Sequence, residues 1–245
     1  MELLLIAVGI LVGILSGFFG IGGGMILVPI LMFLGFDIKE AIEISIVQMV
    51  FSSMYGSYLN YKKGSLVLGE GIWVGVGGFL GGFIGAYVSI LVSSEILGYL
   101  FFALLLFALY RLFASKAKDD GSVKRLNPVI LFGVGAMIGV FAITLGVGGS
   151  ILLTPILTSF LHYPIKKAVS AGLFFVSFSS ISGLLSHLSV GDINLTQGVY
   201  VAVASLVGVY IGIWLKDHVT PSKHKLYLVI MYSTALLILV KKLWF

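Results

Sequence analysis

Residues 3–36 carry no charged side chain, yet Gly20-Ile21-Gly22-Gly23-Gly24 interrupts the stretch near its middle. As one straight helix these 34 residues would measure about 51 Å, against a hydrocarbon core of about 30 Å, while two full spans would need about 40 residues plus a turn. The length fits neither, so the spacing predicts a helix–break–helix hairpin that enters and leaves on one side with its tip inside the protein. A kinked helix that crosses fully is the alternative. Residues 126–161 repeat these dimensions around Gly146-Val147-Gly148-Gly149-Ser150. The two glycine segments, 20–31 and 146–157, are identical at seven of twelve positions, including Pro29 and Pro155.

The duplication extends further. Ile38-Lys39-Glu40-Ala41 recurs as Ile165-Lys166-Lys167-Ala168, and Phe51-Ser52-Ser53 as Phe178-Ser179-Ser180. Gly56 matches Gly183, and Gly81 and Gly85 match Gly208 and Gly212, all at an offset of 127. The chain therefore divides into a first membrane repeat, 1–114, a polar linker, 115–125, and a second membrane repeat, 126–245. Hydrophobic residues make up 59% of the chain, charged residues 10%, and the mean hydropathy is +1.15. A soluble domain of this size needs more charge to cover its surface. The net charge of +5 comes from short basic clusters between apolar runs, as in loop anchors, and this excludes nucleic-acid binding. With no cysteine and no ligand spacing among His162, His187, His218 and His224, neither a metal nor a cofactor is expected.

Loop charges orient the chain. If both long segments cross once, Lys and Arg divide nine to six between the two sides. If both are re-entrant, twelve lie on one side and only Lys39, Lys241 and Lys242 on the other, the bias expected of cytoplasmic loops. Three further apolar segments per half then place the halves in opposite orientations. The expected fold is an all-α polytopic membrane protein of two inverted repeats, each a broken, re-entrant helix hairpin plus three transmembrane helices. The expected location is a bacterial cytoplasmic membrane, with the lipid bilayer as the surrounding partner and a homo-oligomeric state left open. Gly77, Gly81 and Gly85, like Ala204, Gly208 and Gly212, follow a four-residue spacing that lets helix backbones approach closely in lipid.

The Gly-x-Gly-Gly-Gly-x-x-x-x-Pro motif at Gly20–Pro29 resembles that of the TauE/SafE sulfite exporter family. The similarity takes in Ala41–Ser45, the small-residue-rich region Gly77–Gly85 and the second copy at Gly146–Pro155, and so covers essentially the whole chain. The resemblance implies movement of sulfite or a small organosulfur anion across the cytoplasmic membrane.

A break in a membrane helix frees backbone N–H groups at the start of the next helix, where the helix dipole also favours an anion. The candidate substrate-binding residues are Gly20, Gly22, Gly23, Gly24, Ser52, Ser53, Gly146, Gly148, Gly149, Ser150, Ser179 and Ser180, with Gln48 and Thr144 as additions. Pro29 and Pro155 are the expected helix-break residues, and no Lys or Arg is expected in the core of any span. Glu43, the one acid within a span, is the candidate for proton coupling, with complementing the positive helix end as its other reading. His187 reads as interfacial. The expected function is secondary transport of a small anion, with a passive anion channel or a non-transporting membrane assembly factor as alternatives. No paired aspartates, His-Glu-x-x-His or serine–histidine pair points to an enzyme. Gly17-x-x-Gly-x-Gly lacks the strand that a dinucleotide fingerprint requires.

Overall fold

The computed structural model describes residues 2–66, 69, 71–114, 127–159, 165–190 and 195–244, so the linker 115–125 and His162 lie outside the described residues. These residues form ten helices and no strand. In the first half they are α1 (Glu2–Phe19), α2 (Gly24–Phe33), α3 (Ile38–Lys62), α4 (Gly71–Leu91) and α5 (Ser94–Ala114). In the second half they are α6 (Pro128–Thr144), α7 (Ser150–Ser159), α8 (Ile165–Val190), α9 (Leu195–His218) and α10 (Pro221–Trp244).

Local chemistry sets several of these ends. Asp37 caps α3, accepting from the Lys39 N–H at 2.9 Å, while Glu40 accepts from the Asp37 N–H at 3.2 Å in a reciprocal capping box. Asn127 caps α6 through the Val129 N–H, with Pro128 in the first turn, where its missing N–H costs nothing. The breaks are made by glycines at positive φ: Gly20, Gly22 and Gly23 at 72°, 81° and 95°, and Gly146, Gly148 and Gly149 at 64°, 81° and 70°. L-residues with a Cβ rarely adopt this conformation. The prolines do not make the breaks. Pro29 lies inside α2 and position 155 inside α7, because the positive-φ glycines have already ended the preceding helix several residues earlier.

At each break the chain doubles back. A Cβ on Gly23 would lie 2.7 Å from Val12 Cγ1, and one on Gly149 would lie 2.8 Å from Ala142 Cβ and 2.9 Å from Ile138 Cγ2. Eleven residues of continuing helix would hold Val12 and Gly23 about 16 Å apart. The division is unequal, however, with 18 residues in α1 and 10 in α2.

Six described helices are long and apolar enough to cross a membrane: α1, α4, α9 and most of α5, α8 and α10. Helix α3 has 25 residues but carries Glu40, Glu43, Gln48, Asn60 and four serines, and most of this polar side is buried within the protein. The outer surface is apolar, with Leu91, Val129, Leu237 and Ile84 exposed, as suits a lipid solvent. These features make the protein a multi-pass membrane protein.

The closest helix contacts join the two halves. Gly9, Gly13 and Gly17 of α1 rest in turn on the carbonyl groups of Val201, Ser205 and Val209, and Gly208 and Gly212 of α9 rest on those of Ile10 and Ile14. Helices α6 and α4 repeat the arrangement, with Gly77, Gly81 and Gly85 against the Phe132, Ala136 and Val140 carbonyls. Both pairs run parallel, and each hairpin's long arm is thereby held by a helix of the other half. Replacing Gly81 or Gly208 with Leu is expected to cost about 3 kcal/mol, because a side chain there meets backbone that cannot yield. Gly133→Leu, at a position with nothing within 4 Å, is expected to leave the thermal melt of the detergent-purified protein unchanged.

Candidate functional site

The two breaks meet at the centre of the molecule, seated crosswise on α3 and α8. Gly20 and Gly22 of the first break lie against Val169 and Val176 of α8, while Gly146 and Gly148 of the second lie against Ile42 and Met49 of α3. Ile42 and Val169 occupy equivalent positions of the duplication, as do Met49 and Val176. Met49 and Val176 together flank both Gly22 and Gly148. The tips also touch each other: Gly24 abuts the Gly146 carbonyl, and a Cβ on Gly148 would lie 2.8 Å from the Ile21 carbonyl.

Hydroxyl groups hold these carbonyls. Ser45 Oγ donates to the Gly146 carbonyl at 2.8 Å and Ser52 Oγ to the Gly22 carbonyl at 3.1 Å. Position 172, equivalent to Ser45, is glycine, and a Cβ there would meet Ser150 Cβ at 2.8 Å. Ser150 in turn takes the place that Gly24 has in the first half. Each half therefore has one serine and one glycine at this contact, in exchanged positions.

The N–H groups are treated differently. At the first break, Gly20 N–H bonds to the Ser16 carbonyl, and Ile26 and Leu27 N–H bond to the Gly23 carbonyl. Among the described residues, the N–H groups of Ile21 through Met25 have no partner. At the second break the same holds for Gly148, Gly149 and Ile151. All of these residues are buried. A buried, unbonded N–H costs about 1–3 kcal/mol, and helix ends normally satisfy theirs. Five successive orphans at a helix start form a cradle of donors.

A polar side chain stands beside this run of donors. The Gln48 carboxamide is fully buried beside Gly23, whose Cβ would lie 2.8 Å from Oε1 and 3.0 Å from Nε2, and neither atom has a partner among the described residues. The hydroxyls of Ser16, Ser53 and Ser150 are likewise buried and unpartnered. The equivalent of Gln48 is Phe175, whose ring faces Gly149, so the polar side of the arrangement belongs to the first break.

Other sequence candidates stand apart from this cradle. Ser179 Oγ bonds to the Phe175 and Val176 carbonyls, and Ser180 Oγ to that of Ser177, the usual fate of a serine in a membrane helix. Thr144 Oγ1 donates to the Gly85 carbonyl and ties α6 to α4. Glu43 is half-buried on α3. Among the described residues, no group of three His, Asp or Glu could hold a metal ion.

Two polar residues near helix ends are buried within the protein. Lys216, in the last turn of α9, is only 2% exposed, with Nζ bonded to Asn60 Oδ1 at 2.8 Å. His187, in the last turn of α8, is 5% exposed and pairs with Ser89 Oγ at 3.2 Å. The sequence did carry a signal for both. Lys216 continues the four-residue spacing of Gly208 and Gly212, and His187 that of Gly183, so each lies on a face that buries small residues.

A multi-pass bundle with duplicated hairpins and a donor-lined centre is the construction of a membrane transporter. The chain belongs to the sulfite exporter TauE/SafE family, whose sequence model matches residues 5–239. A probable membrane transporter protein of Methanocaldococcus jannaschii is 30% identical over 242 residues, covering 90% of this chain and 88% of the relative. A probable membrane transporter protein of Bacillus subtilis, YdhB, is 27% identical over 218 residues, covering 86% and 88%. One from Haemophilus influenzae is 30% identical over 203 residues, covering 77% and 74%. No solved structure matches the chain. These similarities are to transporters, not enzymes.

Gln48→Leu separates a binding role from a structural one. Removing an orphaned buried carboxamide is expected to raise stability by about 1–3 kcal/mol, read as a higher melting temperature. It is also expected to lower anion flux in proteoliposomes by at least tenfold, equal to about 1.4 kcal/mol.

Proposed function

We propose that this protein is a secondary carrier that exports a small anion, sulfite or an organosulfur anion, across the cytoplasmic membrane. The observation that carries this reading is the run of unbonded N–H groups from Ile21 to Met25 beside the Gln48 carboxamide. Backbone donors at a helix start suit an oxyanion, and glycine lets the anion approach without obstruction. The sulfur in the substrate and the outward direction rest on the family description.

Substrate-binding roles are assigned to Gly20, Gly22, Gly23, Gly24, Ser52 and Ser53 in the first half. Gly146, Gly148, Gly149, Ser150, Ser179 and Ser180 have the corresponding roles in the second. Ser179 and Ser180 would join only on exchange of their present helix bonds. Partial charges hold an anion more weakly than an ion pair would, and this favours release.

The two halves act as inverted repeats with re-entrant hairpins. In support, α3 runs parallel to α9, from Val47 against Gly198 to Asn60 against Lys216, and α4 runs parallel to α8, from Gly71 against Phe174 to Ser89 against His187. Since consecutive spans alternate in direction, such crossed parallel pairs are what a two-fold axis in the membrane plane produces. The abutting tips favour a carrier over a passive channel, because an anion can pass only when they part.

The decisive measurement is flux into proteoliposomes from a panel of sulfite, sulfate, thiosulfate, sulfonates and carboxylates under imposed proton and sodium gradients. Saturable sulfite exchange against a gradient is the expected result, and Gly23→Val is expected to abolish it. Sulfite flux absent from the wild type, or untouched by Gly23→Val, would sink the proposal. Glu43 carries the coupling proton in this reading. Glu43→Gln should therefore remove the acceleration of flux by a proton gradient while leaving exchange at equal pH intact.

A further inference from the structure

One buried polar cluster has no part in the cradle at the breaks. Lys216 Nζ, near the end of α9, donates to Asn60 Oδ1 at 2.8 Å and to Ser170 Oγ at 3.4 Å. Ser65 Oγ donates to Asn60 Oδ1 at 3.1 Å, and Ser170 Oγ to Ser65 Oγ at 3.4 Å. An ammonium can only donate, so Lys216 Nζ settles the orientation of the Asn60 amide. Its Nδ2 is then left buried with no partner among the described residues. Asn60 and Ser170 are fully buried. The cluster adjoins the first break, since Val169, next to Ser170, packs its side chain and carbonyl against Gly20.

The duplication supplies a control within the molecule. At its offset of 127, Asn60 corresponds to His187, Lys216 to Ser89 and Ser170 to Glu43. The same helix contact is therefore built twice, and the second copy closes with a serine–histidine bond of 3.2 Å. A neutral pair suffices to join these helices. The other copy places a lysine next to an unpaired amide donor, so it offers more donors than the joint between the helices needs.

We propose that Lys216, Asn60 Nδ2 and Ser170 form a second anion subsite, a waiting position from which the substrate passes to the N–H groups of the first break. This rests on the anion-carrier reading above. The ammonium supplies attraction that reaches beyond contact, the amide supplies a directed hydrogen bond, the Ser170 hydroxyl adds another on turning from Ser65, and the neighbouring break receives the anion. The equivalent position in the other half holds Glu43, which repels an anion, so the path is electrostatically lopsided. The lysine end is also the end of Lys62 and Lys63, the cytoplasmic side by the loop-charge bias. Loading there fits export.

The test uses the full-length protein and sulfite as the probe. Thermal melts of detergent-purified protein, titrated with sodium sulfite against gluconate at matched ionic strength, read binding, and labelled-sulfite flux in proteoliposomes reads transport. Lys216→Met and Asn60→Asp are expected to weaken the apparent sulfite affinity in both assays at least tenfold, and Lys216→Arg to restore most of it. Ser170→Ala serves as a milder variant should either of the first two fail to fold, with a loss of threefold or more. A purely structural lysine would change the melting temperature without changing its dependence on sulfite. Wild-type binding with variants within twofold of it would overturn the subsite alone. No sulfite binding or flux by the wild type would overturn the anion-carrier reading and the subsite with it.

Discussion

The contact on which everything else depends is backbone against backbone, where glycines of one half lie on carbonyl groups of the other. Helix α1 rests on α9 and α6 on α4 at the separation that only hydrogen side chains allow. In lipid there is little hydrophobic gain from bringing helices together, so close packing and weak polar contacts carry the association. These two seams fix the long arm of each hairpin to the opposite half. Once the arms are fixed, the breaks are brought to the same depth, and Gly22 and Gly148 come to share Met49 and Val176 as neighbours.

That convergence creates an uneven balance of hydrogen bonds. The carbonyl groups of the tips find hydroxyls, through Ser45 and Ser52, whereas a run of N–H groups does not. The centre is thus supplied with donors and short of acceptors, a condition that an anion relieves. The two halves are not equal in this. Gln48 gives the first tip a carboxamide where Phe175 gives the second a ring, and Lys216 lies on the side of the first break where its counterpart, Ser89, is neutral. A duplicated scaffold has thus been made chemically one-sided.

The hairpins, their duplication and the small-residue faces were legible in the chain, because each follows from a length or a spacing. An uncharged stretch of 34 residues is too long for one span and too short for two, and glycines at four-residue spacing mark a face that admits another backbone. Such spacing does not say whose backbone. The prolines misled, since α2 and α7 continue through positions 29 and 155 and the positive-φ glycines alone turn the chain. The burial of Lys216 was harder to read, because a lysine in the last turn of a helix usually snorkels to the interface. Its alignment with Gly208 and Gly212 was the contrary sign.

The sequence by itself determined that this is a helical membrane protein of two related halves, each with a break that only glycine could make. Hydrophobic length and Cβ sterics are local properties, and the order of residues contains them. Only the tertiary structure decided that each hairpin belongs to the opposite half, that Ser179 and Ser180 turn back to their own helix, and that Lys216 lies inside beside Asn60. Those outcomes depend on which faces meet across the interface between the halves, a matter of three-dimensional packing between residues more than a hundred positions apart.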